Sequence, residues 1–582
     1  MKQPIKTAIT TALLHLQQQH QLPASIDIDV QVERTRDPQH GDYACNIAML
    51  LAKPCQKNPL LLAEMIQQAL PSISGVATVS IAKPGFINFK LETTQIRQVV
   101  SEVLNAGPNY GCSELGQAQP IHIEIVSANP TGPLHVGHGR LAAYSASLAN
   151  VLDAAGYRVH REYYVNDAGR QMRILAVSLW LRYLELLGET LPFPRRGYKG
   201  DYMREIAQQL KVTYLDRFYR PQAEIFKDLP TDDEAQEEAY IDALILRAEA
   251  LLGAPEYNIV FQYGLDSILG DIQEDLEQFG VTCQNWFLES ELDKTGDIAE
   301  GIATLQAGGL LYENEGAVWF RATEFGDEKD RVVVRDNGQP TYFASDVGYH
   351  LNKLKRGFTQ LLDVYGADHH GYAPRLRALI IALGMDVKKL HVLLVQFAIL
   401  YRGKTRVSMS TRGGEFVTLR ELREEVGNDA ARFFYIMRRR EQHLDFDLEL
   451  AKSQSSDNPV YYIQYAHARV CSVLRQLEQK GWRWDAAAGD LTLLNEPQEL
   501  DLMRSLSCYP EKVELAATSY EPAVLAHYLQ ELANYFHIYY NALSFLVEDA
   551  PLRNARLNLI IATRQVLANG LMMLGVSTPE SM

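Results

Sequence analysis

The spacing of apolar residues changes along this chain and divides it into three regions. In the first region, apolar and polar residues alternate twice, which predicts two half-buried strands. The two alternating runs are Ile26, Ile28, Val30 and Val32, and then Ile87, Phe89 and Leu91. Helices are expected at about 47–52 and 60–70. Residues 1–112 are therefore predicted to form a small α+β domain, and the stretch 105–120, rich in Gly and Pro, a linker.

The second region alternates strands with helices, which is typical of a doubly wound parallel sheet. The predicted elements are a strand at 121–126, a loop at 127–132, a helix at 138–155, a strand at 159–165, a strand at 361–365, a helix at 374–383 and a strand at 392–397. Residues from about 170 to 310 are rich in Glu, Leu and Gln, which predicts a helical insertion. We expect a Rossmann-like domain over 113–455.

The third region, 456–582, carries only helical periodicity. One apolar face recurs at three- and four-residue spacing and consists of Leu525, Leu529, Leu532, Phe536 and Tyr539. A loop is expected at 485–490. The predicted fold class is therefore α/β, with a Rossmann-like parallel-sheet domain, a small α+β N-terminal domain and an all-α C-terminal bundle.

Composition and charge limit the classes of protein to which this chain could belong. A chain of 582 residues predicts several domains. Its net charge of −16 excludes a uniformly basic surface but not a local basic patch. The six cysteines form no CxxC pair, so neither structural zinc nor a redox motif is predicted, and reduced thiols in a cytosolic protein are expected. No signal peptide and no apolar stretch of about 20 residues occurs, so no membrane span is predicted.

The strongest local signal is Ser-Ala-Asn-Pro-Thr-Gly-Pro-Leu-His-Val-Gly-His-Gly-Arg, residues 127–140. It follows the first strand of the predicted sheet, where ligands bind in this kind of fold. The helix start offers N–H groups and a positive dipole end to phosphates. His135 and His138 would share one face of the first turn and donate hydrogen bonds to a phosphate. In the alternative interpretation, the histidines only cap the helix.

His135-Val-Gly-His138 resembles the HIGH signature of the class I aminoacyl-tRNA synthetases, and the residues around it resemble the arginyl-tRNA synthetase family in particular. The resemblance continues along nearly the whole chain. Similar stretches occur at residues 40–49, 83–89, 198–202, 342–346, 366–370 and 458–469. Each match alone is weak, but their joint order and spacing are specific.

The resemblance implies ATP-dependent ligation of L-arginine to tRNA(Arg) through an arginyl-adenylate, with release of AMP and pyrophosphate. It also implies Mg²⁺ bound with ATP, a monomer in the cytoplasm, tRNA bound before activation, and an N-terminal domain that contacts the outer corner of the tRNA.

The resemblance also assigns site residues. The ATP-binding residues would be Pro130, Thr131, Gly132, Pro133, Leu134, Val136, Gly137, Asp368, His369, Ser408, Met409 and Ser410. The arginine-binding residues would be Glu124, Ser127, Asn129, Tyr342, Asp346 and His370. Because a guanidinium pairs best with carboxylates, Glu124 and Asp346 are the central candidates. Alternatively, Glu124 is an ordinary strand-end charge and Asp346 a helix cap.

The second class I signature, KMSKS, corresponds here to Ser408-Met-Ser-Thr-Arg412, which lacks both usual lysines. We expect Lys404, on the same loop, to supply the missing catalytic cation. The alternative is a solvated basic hairpin. The Asp368-His-His triplet could hold a metal, but no further ligands stand near it in sequence, so no metal site is predicted.

Contacts with tRNA are the least visible in the sequence. An Arg cluster at Arg432 and 438–440 precedes the helical region, and Tyr461, Tyr465 and Arg469 recur on one predicted helix. The predicted tRNA-binding residues are Arg440, Tyr461, Tyr465 and Arg469. A tyrosine-rich helical core with a solvated Arg run explains the same pattern.

Three other functions are considered. Another class I synthetase would share the HIGH context, but a cysteinyl enzyme would need a zinc cluster, and lysyl or glutamyl enzymes would lack the stretch at 458–469. A synthetase-like nucleic-acid-binding protein without catalysis is favoured only by the altered loop at 408–412. A small-molecule nucleotidyltransferase would leave the C-terminal helical region without a purpose.

Overall fold

The computed structural model describes residues 1–23, 29–35, 37–407 and 417–582. The chain forms two compact units, each built from several segments. The first unit consists of Met1–Tyr110, Ser472–Cys508 and Asn534–Val566. The second unit consists of Gly111–Cys471, Tyr509–Ala533 and Leu567–Met582.

The N-terminal part of the first unit is an antiparallel sheet with four helices. The strands are β1 Val32–Arg34, β2 Tyr43–Cys45, β3 Val76–Ala82 and β4 Phe86–Leu91, in the spatial order β1-β2-β4-β3. The helices are α1 Lys2–Gln18, α2 Ile47–Ala52, α3 Pro59–Ala69 and α4 Thr93–Ala106. Ile87 and Phe89 of β4 are fully buried in one apolar core with residues of α1 and α3, as their alternation predicts.

The first alternating run is only partly a strand. Ile26 and Ile28 lie outside the described residues. Val30 and Val32 are both buried, but the strand begins only at Val32.

The second unit contains most of the strands. They are β5 Pro120–Glu124, β6 Arg158–Val165, β7 Asn285–Leu288, β8 Leu311–Asn314, β9 Ala317–Phe320, β10 Arg331–Val334, β11 Gln360–Gly366, β12 Leu390–Val395, β13 Ala398–Arg402, β14 Thr405–Arg406 and β15 Leu444–Asp447. The helices before residue 455 are α5 Val136–Ala154, α6 Arg170–Leu186, α7 Asp201–Tyr214, α8 Gln222–Ile225, α9 Glu237–Gln278, α10 Glu289–Thr295, α11 Asp297–Ala307, α12 Tyr342–Lys355, α13 Tyr372–Ala382, α14 Leu419–Val426, α15 Asn428–Ile436 and α16 Leu448–Lys452.

A five-stranded parallel sheet organises this unit. Its spatial order is β12-β11-β5-β6-β7, and all four neighbouring pairs are parallel. The chain leaves β5 through α5 to β6 on one side, whereas β11 lies on the other side of β5. The strand order therefore reverses at β5, and such a reversal opens a crevice at the carboxyl ends of the strands. The parallel sheet predicted from the sequence is confirmed.

Three features differ from the sequence prediction. The strand β7 pairs with β6 inside the stretch predicted to be a helical insertion, so the sheet resumes at Asn285 rather than at 361. Two small sheets, β10-β9-β8 and β14-β13-β15, were not predicted. The strands of the first are four residues long, too short for a period of two to stand out. The predicted linker is ordered, since the N–H of Ser113 donates to the carbonyl of Ala154 at 2.9 Å.

The chain from residue 459 onward is helical, as predicted. Its helices are α17 Pro459–Gln479, α18 Pro497–Ser519, α19 Ala523–Ala542 and α20 Ala550–Met573. The predicted apolar face on α19 is fully buried at all five positions. The predicted loop at 485–490 lies between α17 and α18. None of the described helices is both long and apolar enough to cross a membrane.

Candidate active site

A cavity of about 370 Å³ lies at the carboxyl ends of β5, β6 and β11. It is bounded by the loop after β5, the first turn of α5, the end of β6, the helix α12 and the loop after β11. The sequence-predicted residues that line it are Glu124, Ser127, Asn129, His135, His138, Tyr342, Asp346, Asp368 and His369. The structure therefore gathers residues that are up to 245 positions apart in sequence (124 to 369) into one site.

The loop after β5 turns sharply at the cavity. Val126 and Ser127 have positive φ angles of 61° and 48°, a region that non-glycine residues seldom adopt and that is strained for a β-branched side chain. The Ser127 hydroxyl accepts a hydrogen bond from the Tyr164 N–H of β6 at 3.0 Å. This bond fixes the turn against the next strand, and one role of Ser127 is therefore to shape the loop.

The two histidines of the signature form a stacked pair at the start of α5. Their ring centroids are 3.6 Å apart with an interplanar angle of 20°. The N–H of Gly137 donates to Nδ1 of His135 at 3.0 Å, and the N–H of His135 donates to Nδ1 of His138 at 3.3 Å. Burial lowers the pKa of His138 to about 3 and also lowers the pKa of His135. Both rings are therefore neutral, with Nδ1 as acceptor and Nε2 carrying the hydrogen.

This arrangement corrects one prediction about the helix start. The N–H of Val136 donates to Val417, that of Gly137 to the His135 ring, and that of His138 to the His135 carbonyl. These three amides are not available to a phosphate, because each already has an acceptor. The Nε2–H groups of the two histidines are the donors that the first turn offers instead.

Gly137 is required by the histidine pair. A Cβ atom there would meet Cε1 and Nδ1 of His135 at 2.8 and 3.0 Å. Behind the pair, Leu134 and Val136 are buried and form backbone hydrogen bonds with Leu419 and Val417. These backbone hydrogen bonds fix the position of the signature residues 135–138.

Seven of the predicted ATP-binding residues, all in the segment before and within the first turn of α5, do not line the cavity. These residues are Pro130, Thr131, Gly132, Pro133, Leu134, Val136 and Gly137. The loop they form is covered in part by Tyr202, whose hydroxyl donates to the carbonyl of Thr131 at 2.7 Å. A Cβ atom at Gly132 would lie 2.9 Å from the same hydroxyl oxygen. In this structure the loop supports the histidine pair rather than lining the cavity.

Three buried or half-buried carboxylates line the same cavity, those of Glu124, Glu289 and Asp346. Asp346 lies on α12, and its Oδ2 atom is buried without a hydrogen-bond partner. Desolvation raises the pKa of Asp346 to about 7, with Glu289 and Glu124 adding to the increase. Desolvation also raises the pKa of Glu124 and of Glu289. A buried carboxylate oxygen without a partner is costly, so this region is prepared for a cationic ligand.

Of these acids, Glu124 already has a cationic neighbour. The ammonium of Lys353 lies 3.0 Å from Oε2 of Glu124 and 2.9 Å from Oδ1 of Asp363. Asp346 and Glu289 have no such ion pair within the described residues. A substrate cation would therefore find its strongest unmet acceptor at Asp346.

The loop after β13 carries the predicted catalytic lysine. Gly403, with φ of 60°, and Lys404 form the tip of the β13–β14 hairpin, and Lys404 is exposed. Lys404 is not among the residues that line the cavity. The predicted nucleotide contacts Ser408, Met409 and Ser410 lie outside the described residues. The role of Lys404 therefore remains a prediction from the sequence.

Three family models match the chain. The class I (R) tRNA synthetase catalytic domain matches residues 99–193 and 196–454. The arginyl tRNA synthetase N terminal domain matches 3–91, and the DALR anticodon binding domain matches 463–582. Curated arginine–tRNA ligases of Legionella pneumophila (strain Corby) and Coxiella burnetii (strain RSA 331 / Henzerling II) are each 56% identical to this chain over 586 residues, with 100% of both chains covered.

The chain belongs to the arginyl-tRNA synthetase family. The fold agrees with this membership. The arginyl-tRNA synthetase of Thermus thermophilus superposes with a TM-score of 0.78 at 23% identity, with 100% of both chains covered. The resemblance seen in the sequence is confirmed over the whole chain.

Two predicted site residues, His370 and Arg440, line a different cavity. His370 lines a second cavity of about 490 Å³ with Val392, Gln396 and Arg440, so the structure does not bring it to the three acids. Arg440 forms an ion pair with Glu521 and is mostly buried. An arginine held this way is not exposed for a phosphate, so the structure gives no support to a tRNA contact for Arg440.

The other three predicted tRNA-binding residues of this family member, Tyr461, Tyr465 and Arg469, lie together on α17. Along α17 the rings of Tyr461 and Tyr465 stack at 5.9 Å with an angle of 16°, and the guanidinium of Arg469 lies 4.4 Å above the Tyr465 ring. This aromatic stripe is a suitable platform for nucleobases. Arg432, which was not among the predicted tRNA-binding residues, is fully buried and donates to the carbonyls of Phe279 and Leu574.

Sequence reasoning missed several cavity residues of this arginyl-tRNA synthetase family member. Glu289 begins α10, and Ser345 and Tyr164 hydrogen-bond its carboxylate. Lys353 is about two helical turns beyond Asp346 on α12, a spacing that could have suggested a shared face. No local pattern marks Glu289. Among the described residues, no three His, Cys, Asp or Glu side chains are grouped so that they could hold a metal ion.

Proposed function

We propose that this chain activates L-arginine with ATP and transfers it to tRNA(Arg), and that the cavity at the carboxyl ends of β5, β6 and β11 performs the activation. One observation carries the proposal. Asp346, which has a buried carboxylate oxygen without a partner, lines one cavity together with Glu124, Glu289 and the neutral pair His135 and His138. A cation-binding end thus lies beside two donors suited to a phosphate.

In the first step, the arginine carboxylate oxygen attacks the α-phosphorus of ATP in line and the bond to pyrophosphate breaks. The Nε2–H groups of His135 and His138 donate to the oxygens of the α-phosphate as negative charge develops there. Each neutral imidazole has one hydrogen bond to donate, through Nε2–H, because its Nδ1 already accepts a backbone N–H. Binding arginine by its guanidinium at Asp346 fixes the carboxylate near the phosphate and supplies much of the acceleration.

The phosphates of the nucleotide require a cation, and among the described residues the cavity lining contains no lysine or arginine. We assign this role to Lys404, because the hairpin tip that carries it is exposed and follows a glycine with a positive φ. Closure of this hairpin over the nucleotide would bring the ammonium to the phosphates. ATP enters as its Mg²⁺ complex, and Mg²⁺ is therefore treated as part of the substrate.

In the second step, a terminal ribose hydroxyl of tRNA, the 2′-hydroxyl as in class I enzymes, attacks the carbonyl carbon of the arginyl-adenylate. The ester bond forms, the acyl–phosphate bond breaks and AMP leaves. The stripe Tyr461, Tyr465 and Arg469 is assigned to anticodon bases. The activation step is proposed to require bound tRNA, as the family resemblance suggests.

Three further proposals rest on the family resemblance. The domain boundaries are 1–112, 113–455 and 456–582, and the three matched family models support this division. The chain acts as a monomer. It acts in the cytoplasm, where its substrates arginine, ATP and tRNA are found.

Selectivity follows from the charge of the pocket. An uncharged analogue would leave the buried acids unpaired, and sites built around such groups reject the analogue by about 10⁴-fold or more. A separate editing site is therefore unnecessary.

The test is to incubate the purified chain with ATP, Mg²⁺, total tRNA and each labelled amino acid in turn. Label in acid-precipitable tRNA from arginine alone supports the proposal. No label from any amino acid, with tRNA still bound, would favour a binding protein without catalysis and direct attention to the loop at 408–412. Label from another amino acid would exclude the assignment of the pocket.

A further inference from the structure

A buried lysine lies directly behind the arginine pocket. Lys353 has no exposed surface, and its ammonium lies 3.0 Å from Oε2 of Glu124 and 2.9 Å from Oδ1 of Asp363. It also lies 4.0 Å from the centre of the Tyr349 ring. A cation without solvent is retained only when it is paired this closely, so its partners define its role.

The two partners of Lys353 differ in what they face. Glu124 lines the cavity, whereas Asp363 does not. Asp363 is held from its other side by Nε2 of His350 at 3.1 Å. The Nδ1 of the same ring lies 2.8 Å from the backbone carbonyl of Asp346. Lys353 therefore connects Glu124 to the turn of α12 that carries Asp346, the two predicted acids of the pocket.

We propose that Lys353 is a positioning residue for arginine, which holds the Glu124 carboxylate as an anion in a fixed place beside the substrate cation. This inference rests on the proposed function. The positive charge of Lys353 is needed because the carboxylates of Glu124, Asp346 and Glu289 share one poorly solvated region. Like charges in such a region favour protonation of one member.

The direction of the pKa values indicates which acid would protonate first without Lys353. Desolvation already raises the pKa of Glu124, against which Lys353 acts as the largest opposing influence. The pKa of Asp363 stays below its ordinary value because both Lys353 and His350 support its charge. Loss of Lys353 would thus neutralise Glu124 rather than Asp363, and the pocket would lose one of its anions.

The same helix supplies a matched control. Lys355, two residues further on, pairs with Asp297 at 2.9 Å and Glu300 at 2.6 Å, and it is 40% exposed. It bridges two carboxylates as Lys353 does, but neither carboxylate lines the cavity. Replacing Lys355 therefore removes a lysine with two acidic partners and leaves the pocket intact.

The experiment measures aminoacylation by the full chain with Lys353→Met, Lys353→Gln, Lys353→Arg and Lys355→Met, after the unmodified chain has been shown to charge arginine. For Met and Gln at position 353, the KM for arginine should rise roughly tenfold or more while the KM for ATP stays within about threefold. Lys353→Arg keeps the charge and should stay within about threefold, as should Lys355→Met.

A double-mutant cycle separates this role from general stability. In a Glu124→Gln background the Lys353→Met change should add less than about threefold to the KM for arginine, because Glu124 no longer carries the charge that Lys353 supports. Additive effects would overturn the proposal. So would an unchanged KM for arginine in folded Lys353→Met, or equal increases in the KM values for arginine and ATP.

Thermal unfolding of each variant shows which proteins are folded. If Lys353→Met is unstable, Lys353→Gln decides, since its amide can still donate to both carboxylates without a charge. If neither folds while Lys353→Arg behaves as the unmodified chain, Lys353 serves stability alone and the proposal is wrong. Charging of arginine by the unmodified chain distinguishes all these results from a failure of the proposed function.

Discussion

The unpartnered carboxylate of Asp346 allows one prediction to be worked out in detail. Asp346→Asn keeps the side-chain shape and removes the negative charge. Losing one member of a buried hydrogen-bonded charge pair costs about 2–5 kcal/mol. At about 1.4 kcal/mol for each factor of ten, the lower limit corresponds to an increase of roughly 30-fold in the KM for arginine. The kcat should change much less, because Asp346 is proposed to contact the guanidinium and not the reacting phosphate.

The pKa of Asp346 adds a pH signature. With a pKa of about 7, the ligand-free carboxyl is mostly neutral at pH 6 and mostly ionised at pH 8. The ionised fraction rises about tenfold across this interval, so the KM for arginine should fall about tenfold from pH 6 to pH 8. Asp346→Asn should abolish this dependence. Glu124 and Glu289 raise the pKa of Asp346, and His350 and Arg375 lower it.

The assay is steady-state aminoacylation at saturating ATP and tRNA, with arginine varied at each pH. Asp336→Asn, an exposed carboxylate in the segment before α12, is the matched control and should leave the KM for arginine unchanged. The reasoning is refuted if Asp346→Asn keeps a KM for arginine within about threefold of the unmodified chain, or if that chain shows no pH dependence between 6 and 8.

Other predictions concern separate parts of the chain. His138→Ala should lower kcat by about 10²–10³, as for loss of one donor to a developing anion, while arginine affinity measured by calorimetry stays constant. Lys404→Ala should slow activation at least tenfold (about 1.4 kcal/mol), with the exposed Lys388→Ala as control, and a smaller effect in single-turnover kinetics would remove Lys404 from the mechanism. Tyr465→Ala should weaken tRNA binding, measured by filter binding, by roughly tenfold. The KM for arginine in the aminoacylation assay should not change. Ligand-free Asp346→Asn should unfold at a higher temperature than the unmodified chain at pH 8 but not at pH 4. The reason is that folding raises the pKa of Asp346 from 3.8 to about 7, so ionisation of this carboxyl lowers the stability of the folded state as the pH rises between these two values.

The parallel sheet was predictable because short runs rich in Ile, Val, Leu and Tyr are separated by segments with a helical period. The strands β5, β6, β11 and β12 all lie within a few residues of their predicted positions. The strand β7 has only four residues, and long helices surround it. Its place in the sheet follows from pairing with β6, which is a tertiary fact without a local pattern.

The active site likewise contains some residues that the sequence predicts and others that it does not. His135, His138, Glu124 and Asp346 carry motif signals, and the structure brings all four to one cavity. Glu289 carries none, because its carboxylate enters the cavity only through the packing of α10 beside β6. The stacking of the two imidazoles, and the burial that keeps both rings neutral, are tertiary features that no residue spacing reveals.

The helix start illustrates why a correct motif can carry a wrong detail. The sequence indicated that its amides would bind phosphate, as in many nucleotide sites. The His135 ring instead accepts the Gly137 N–H, and the Val417 carbonyl accepts the Val136 N–H. Val417 lies nearly 300 residues away in sequence, so only the fold shows that the amides are occupied.

In the proposed function, buried carboxylates select the charge of the arginine side chain. Citrulline has nearly the same shape as arginine but a neutral urea group in place of the guanidinium, which makes it the sharpest probe. Competition between labelled arginine and citrulline in the aminoacylation assay measures this selectivity directly. Citrulline is expected not to compete even at about a thousandfold excess. Inhibition by citrulline at concentrations within about tenfold of the KM for arginine would contradict this expectation.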